Sequence, residues 1–352
     1  MEGLILLYPL KFFPVYKNYI WGGRNLEKLG KSLPDGIVAE SWELSCHPDG
    51  ESIIANGIYK GKSLSWFIEE HGYEAVGTSV GKPFSWKPGD RFPLLIKFID
   101  ANDKLSVQVH PDDTYASMHE DDKSGKNEMW YIIWAKPGAK LVYGLKPGTT
   151  KKMFEDAIQN ENIENLLNYV EVSAGDVIYI PAGLVHAIGE GILLAEIQQN
   201  SNNTYRVYDY NRVDSTGKKR PLHINKALDV INFDATGRIY HKDDGSEINN
   251  NSDDYKISSL ISNQYFTVDL VNLQGEMKEI ADGSRFYSYV VIEGEGSITQ
   301  SHSVIQAGSA SNNDMKTNNE IEIKMGETVF IPAAMGEYTI KGNLKALKAY
   351  II

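Results

Sequence analysis

The sequence predicts a mainly β protein of two similar β units, each a barrel or jelly roll, with a few short helices. Short apolar runs bounded by Gly, Pro, Asn and Asp recur along most of the 352 residues, which suits short strands joined by tight connections and not a parallel sheet. The chain also partly repeats itself. Lys324-Met-Gly326-Glu-Thr-Val-Phe-Ile-Pro332 parallels Ser173-Ala-Gly175-Asp-Val-Ile-Tyr-Ile-Pro181, and Tyr289-Val-Val-Ile-Glu-Gly-Glu-Gly parallels Trp130-Tyr-Ile-Ile-Trp-Ala-Lys-Pro-Gly. Length and composition agree: 42% hydrophobic and 23% charged residues are ordinary for a soluble chain able to bury two cores.

Taken in order, the opening M-E-G-L-I-L-L-Y-P-L is expected to be a first strand. Residues 5–60 alternate apolar runs with the turn signals Trp21-Gly22-Gly23 and His47-Pro48-Asp49-Gly50. Ser63 caps a helix through Leu64, Phe67 and Ile68 to Gly72, and residues 77–90 form a loop. Phe92 to Asp100 is an apolar strand interrupted by Lys97, turning at Asn102-Asp103 into the strand Leu105 to His110. Pro111 with Asp112 and Asp113 starts a helix to about Asp122, and Glu128 opens a buried strand. Helical spacing runs through Thr150 to Tyr169, in Phe154, Ala157 and Ile158, then Ile163, Leu166 and Leu167. A strand from Gly175 ends in a turn at Pro181 to His186, strand, loop and strand fill 192–213, and Pro221 opens a helix through Leu228 to Ile231. Residues 234–256, rich in Asp, Asn, Ser and Gly, are the expected linker.

The balance of 47 Asp plus Glu against 35 Lys plus Arg, a net charge of -12, argues against nucleic acid or an anionic membrane as partner. A single cysteine, Cys46, forms no intrachain disulfide and suits a reducing compartment. The opening apolar run is too short to span a bilayer and carries an acid where a signal peptide carries a base, so the expected setting is cytoplasmic.

Chemistry concentrates around Lys97 to His110. Strand alternation turns Leu105, Val107 and Val109 one way and Ser106, Gln108 and His110 the other. Polar side chains two apart inside a sheet are costly unless something binds there. Gln108 and His110 join Glu128, which opens the next strand, and His186, which follows the Pro181 turn. Two imidazoles with a carboxylate form the mixed set that a catalytic Zn²⁺ takes, and Fe²⁺ or Mn²⁺ accepts it too. Each residue alone is more often a satisfied core or surface group; their joint occurrence is what carries weight. In the second repeat the positions matching Glu128 and His186 are Tyr287 and Glu337, so that copy keeps the frame and loses the set. Lys97 inside an apolar strand is costly unless it is paired or aimed at a ligand anion, the plain alternative being an edge strand with its amine reaching water. Lys126, two before Glu128, shares its face, and Arg206 lies in a polar stretch that alone reads as surface loop. No Gly-rich phosphate loop is present.

Gly175-x5-Pro181-x-Gly183-x2-His186 is similar to the second metal motif of the cupin superfamily, with Glu190 where an Asn is usual. The first motif departs further: Gln108 stands where its first His would, and an insertion displaces Glu128. Those departures resemble one cupin family, the type I mannose-6-phosphate isomerases, in a short bacterial form. The resemblance runs over nearly the whole chain, through Pro14 to Trp21-Gly-Gly, Glu40-Ser-Trp42, Leu105-Ser-Val-Gln-Val-His-Pro-Asp-Asp113, Gly125-Lys-Asn-Glu128, and Gln199-Asn-Ser201 to Arg206. The Q-V-H-P-D-D stretch is highly specific, whereas Trp-Gly-Gly alone is weak.

The resemblance implies two cupin-type jelly-roll β-barrels, a bicupin: a catalytic domain over 1–233, the linker 234–256, and a degenerate barrel over 257–352. It implies one Zn²⁺ per chain on Gln108, His110, Glu128 and His186, phosphate contacts from Lys97 and Ser106, and catalysis by Lys126 and Arg206. The spacing from His186 to Arg206 is one residue longer than in some relatives. The expected reaction interconverts mannose 6-phosphate and fructose 6-phosphate through an enediol, with a small phosphosugar as partner; monomer and homodimer both stay open. Two other classes stand beside it. An iron-dependent cupin oxygenase would use His110, Glu128 and His186 as a facial triad, against which Gln108 and the cationic residues argue; a non-catalytic sugar-binding bicupin would hold metal without turnover.

Overall fold

The computed structural model describes residues 6–78, 87, 89–213, 216–235, 237–240, 246–248, 252–301 and 320–351. The protein is mainly β, and its chain divides into two compact units, neither contiguous in sequence. Met1–Val15, Glu43–Pro93 and Gly245–Ile352 form one, and Tyr16–Trp42 with Leu94–Asp244 the other. The contiguous first domain expected over 1–233 therefore differs from the packing. Leu10–Phe13 pairs antiparallel with Thr328–Ile331 and with Ile53–Ile54, and pairings so distant in sequence leave no local compositional trace.

The unit that carries the predicted site residues is a two-sheet sandwich of jelly-roll type. One sheet has seven strands, in the order Arg238–Tyr240, Val177–Ile180, Glu128–Ala135, Ile192–Gln199, Leu94–Ala101, Glu40–Leu44 and Val15–Lys17. The other has five: Tyr205–Tyr208, Val107–Val109, His186–Ile188, Lys140–Leu145 and Leu167–Glu171. Between them lies a core with Ile99, Trp130, Ile132, Ile178 and Leu194 from the larger sheet and Leu141, Tyr143 and Ile188 from the smaller. The outer face of the small sheet buries Val107, Val109, Val142 and Ala187 against Phe154 and Ala227, on the helices Lys151–Gln159 and Ile224–Val230. Alternation along these strands thus supplies both cores at once, apolar residues going outward to the helices and the polar stripe inward.

In the other unit a nine-stranded sheet is built on Thr267–Ala281 and Gly336–Tyr350, each 15 residues, paired along their whole length. The internal repeat is structural. Val177 pairs with Tyr131 and Ile180 with Glu128; at the matching positions Thr328 pairs with Val290 and Ile331 with Tyr287. Gly175 N–H donates to Ile132 O and Gly326 N–H to Val291 O, and these glycines hold φ of 97° and 84°, where a side chain is strained. At the position matching Trp130 the second copy has Tyr289, whose hydroxyl meets the Tyr338 hydroxyl at 3.0 Å.

The predicted cap at Ser63 and the predicted helix start at Pro111 to Asp113 are both present. Ser63 accepts from Trp66 N–H ahead of Leu64–His71, and Asp112 from Tyr115 N–H ahead of Asp113–His119. Four expectations change. The first strand begins at Leu10, residues 1–5 lying outside the described residues. The helix from Thr150 stops at Gln159, because Glu161 takes φ of 54°; Leu167–Glu171 is a strand. Within the expected linker Arg238–Tyr240 pairs with Val177–Ile180, and Ser246–Ile248 with Tyr255–Ser262, while 236, 241–245 and 249–251 lie outside the described residues. Within the expected 77–90 loop, 79–86 and 88 do also. Leu105 precedes the strand, which starts at Val107; its N–H donates to Ile188 O and its side chain joins the inner core. Among the described residues no helix is long and apolar enough to cross a membrane.

Candidate metal centre

The centre forms where the two sheets face each other. Across the small sheet Tyr143, His186, Gln108 and Arg206 are successive Cα partners, so their side chains share the inner face. The larger sheet presents two rows: Ile180, Glu128 and Gln198, and, two residues along, Ile178, Trp130, Glu196 and Lys97. His110 follows the small-sheet strand directly, its carbonyl accepting from Gly183 N–H at 2.9 Å, which ties the first motif to the turn before His186.

His110 and His186 are 1% and 0% exposed and Glu128 is 0% exposed, with one ligand atom from each lying within 4.8 Å of the others. His110 Nε2 is 3.2 Å from Glu128 Oε1, and His186 Nε2 is 3.8 Å from Oε2. Each imidazole keeps Nδ1 against a backbone carbonyl at 2.8 Å, Asn203 O for His110 and Leu184 O for His186. A carbonyl can only accept, so the proton sits on Nδ1 and both Nε2 lone pairs face inward. Burial lowers both imidazoles, His186 to about 3 with His110 adding to the effect, and they stay neutral, the form a metal takes. Burial alone would raise Glu128, but Lys126 and His110 hold it well below the usual carboxylate range.

These residues fit a divalent metal. Glu128 Oε2 is buried with no hydrogen-bond partner among the described residues, facing inward lone pairs, and only a cation makes that convergence favourable. Gln108 reaches the set with its amide nitrogen 3.4 Å from His186 Nε2, and rotation of the amide offers its oxygen there instead. The nearest cation in the structure is Lys126, its ammonium 3.2 Å from His110 Nε2 and bonded to Glu128 Oε1. The framework around the ligands is fixed by amides. Asn127 binds Gln199, Tyr179 hydroxyl and Ala182 N–H, while Asn203 ties its side chain to the carbonyls of Asp122 and Ser124, placing its own carbonyl for His110. Gly125 packs so closely on Asp112 and Asp113 that an added Cβ would lie 2.5 Å from Asp113 N.

A cavity beside this set, reaching it through Gln108 and Lys126, is lined also by Lys97, Ser106, Arg206 and Arg220, with Trp130 and Glu196. The predicted residues therefore gather in one region of this unit. Lys97 lies in an interior strand, not at an edge, and is 3% exposed. Its ammonium is 3.1 Å from Glu196 and 4.0 Å from Glu40, carboxylates that also accept the indole N–H groups of Trp130 (2.8 Å) and Trp42 (2.6 Å). Burial acts to discharge Lys97, yet Glu196 and Glu40 hold it above the ordinary lysine range. Arg206 is half-buried, its Nε without a partner among the described residues, and burial together with Arg220 lowers its guanidinium. The sequence reading missed Glu196, although an acid inside the apolar run Ile192–Gln199 is the same signal that marked Lys97. It missed Glu40 as an acid, Asp209 and Arg220, whose partners are set only by the fold.

A sequence profile for the phosphomannose isomerase type I catalytic domain matches residues 9–133. The chain is 36% identical over 346 residues to mannose-6-phosphate isomerase from Bacillus subtilis strain 168, covering 97% of this chain and 99% of that one. It is 38% identical over 284 residues to the mannose-6-phosphate isomerase of Streptococcus mutans, covering 80% and 83%. The crystal structure of mannose 6-phosphate isomerase from Bacillus subtilis superposes with a TM-score of 0.82 at 35% identity, over 98% of this chain and 100% of that one. A variant of phosphomannose isomerase from Salmonella typhimurium shares the fold, with a TM-score of 0.71 at 16% identity over 97% and 99%. With coverage near complete at this identity, and with three residues that could hold a metal assembled in the core of one unit, the chain belongs to the type I phosphomannose isomerase family.

Proposed function

We propose that this protein interconverts D-mannose 6-phosphate and D-fructose 6-phosphate through an enediol, at one zinc ion held by Gln108, His110, Glu128 and His186. The observation that carries the reading is the buried convergence of His110, His186 and Glu128, its Oε2 unpartnered, beside Lys126 and Arg206 in one cavity. When bound, the metal supplies a Lewis acid for oxygens that gain charge.

The isomerisation moves a proton between adjacent sugar carbons, and the enediolate between them carries the developing negative charge. Lys126, its ammonium against two of the ligands, is placed to hand a proton to or from a sugar oxygen. Arg206 stands beside Gln108 in the same cross-strand row and lines the cavity, where its guanidinium charge would stabilise the enediolate. Ser106, buried at the cavity wall, can hydrogen-bond the substrate, and Trp130 gives the sugar an apolar surface. Such a cationic surround suits a phosphosugar better than the substrate of a facial-triad oxygenase. The test is a coupled assay for fructose 6-phosphate formed from mannose 6-phosphate by wild-type protein and by Arg206→Ala with its metal content verified.

A further inference from the structure

We propose that a second cavity, on the outer face of the small sheet, binds a small anion built on a planar aromatic ring, of the nucleoside monophosphate kind. The cavity holds about 340 Å³, inside the range of small-ligand sites, which begins at roughly 300 Å³. Val142 and Ala187 line it from the outward face of adjacent strands. Strand alternation turns Ala187 away from the face on which its neighbour His186 joins the metal set, so this cavity is distinct from the catalytic one, although Ile188 borders both.

Two tyrosines give it aromatic surface: Tyr169, 45% exposed, and Tyr210. Tyr210 and Asn211 both take left-handed backbone, with φ of 54° and 56°, which a bulky residue adopts only where its surroundings impose it. Arg212 imposes it here, bonding Asp209 at 2.6 Å and Asp103 at 3.2 Å, and Lys219 adds a bond to the Asn211 side chain at 2.8 Å. The strained turn thus fixes an aromatic ring on the cavity wall. Charge at the rim then selects an anion. Of the two carboxylates there, Glu190 is paired with Lys136, and Glu164 accepts the Tyr208 hydroxyl at 2.9 Å. Lys104 and Lys140 have no carboxylate partner among the described residues; the Lys104 ammonium lies 3.7 Å from the Tyr210 ring centroid, and Lys140 is exposed. Two unmatched ammoniums beside aromatic surface stand out in a chain of net charge -12. A neutral sugar would need directional hydrogen-bond partners, and both carboxylates in reach are already engaged. A planar ring needs only the tyrosine faces, and its phosphate the two lysines.

The experiment is calorimetric titration of the full chain with adenosine 5′-monophosphate, and with adenosine and inorganic phosphate separately. The monophosphate is expected to bind with Kd below about 1 mM, at least tenfold tighter than either half. Tyr169→Ala, and Lys104→Met combined with Lys140→Met, should each weaken it about tenfold or more, while Tyr169→Phe, which keeps the ring, stays within about threefold. Arg206→Ala, in the metal-side cavity, should bind it as wild type does. Should the double lysine variant fail to fold, Lys140→Glu at the exposed rim carries the same readout. No binding by wild type, binding matched by inorganic phosphate alone, or binding lost in Arg206→Ala and kept in Tyr169→Ala overturns the inference. None of these readouts needs turnover, so the isomerase reading stands or falls separately.

Discussion

Replacing Lys97 with Met removes an ammonium that lies 3.1 Å from Glu196 and 4.0 Å from Glu40, in a strand buried along its whole length. At an effective dielectric constant of about 20 the two attractions are worth roughly 5 and 4 kcal/mol before desolvation is subtracted. Truncating one partner of such a buried group leaves uncompensated charge and costs about 3–5 kcal/mol. That corresponds to a fall in Tm on the order of 10 °C, measured by calorimetry. The loss depends on pH. The wild-type Lys97 value is raised, so its stabilisation is fully present below the unfolded lysine value and disappears only as pH climbs through the folded one; between pH 5 and 8 it is constant. In the variant Glu196, already raised by burial and by Glu128, loses its counter-charge and rises further. Above the unfolded carboxylate value the folded variant then binds more protons than the unfolded chain, and its stability falls as pH rises. The deficit should be larger at pH 8 than at pH 5, and Glu196→Gln added to Lys97→Met should recover much of it. A Tm equal to wild type, or a deficit identical at both pH values, would refute the role given to Lys97.

Three further predictions follow from the same contacts. His186→Ala should lose most bound metal by elemental analysis while Glu337→Ala, its counterpart in the second repeat, loses none; equal loss would defeat the comparison of the two copies. Arg206→Ala should lower kcat roughly a hundredfold or more with metal retained, because its charge matters chiefly as the enediolate forms, and full activity would remove it from the mechanism. Ser63→Ala should cost about 1 kcal/mol in denaturant titration through loss of the bond from Trp66 N–H, and an unchanged midpoint would show the helix indifferent to its cap.

Much of this molecule is legible in one dimension, and the reason differs by feature. The cap at Ser63, the helix start at Pro111 to Asp113 and the strand faces of Gln108 and Val109 depend on neighbours within a few residues, so local pattern reveals them. The repeat is legible because Gly175 and Gly326 both meet a backbone demand for positive φ before strands of the same register. Lys97 is recognisable as a residue that must be paired or aimed at an anion, but its partners Glu40 and Glu196 come from flanking strands remote in sequence, so the letters alone do not name them. Helical spacing continued past Asn160 in the letters, while the backbone turned at Glu161 and gave Leu167 to a strand. The polar composition around 238–248 suggested a linker because short edge strands need few apolar residues. The interleaving of Glu43–Pro93 with the C-terminal segments has no local signature at all.

The most direct measurement is turnover of mannose 6-phosphate to fructose 6-phosphate by one preparation as purified, after chelation, and after return of Zn²⁺, with metal content determined at each stage. Activity that disappears with the metal and returns at one Zn²⁺ per chain is the expected result. Turnover by protein verified as metal-free, or no turnover by folded protein holding one Zn²⁺ per chain, would contradict it.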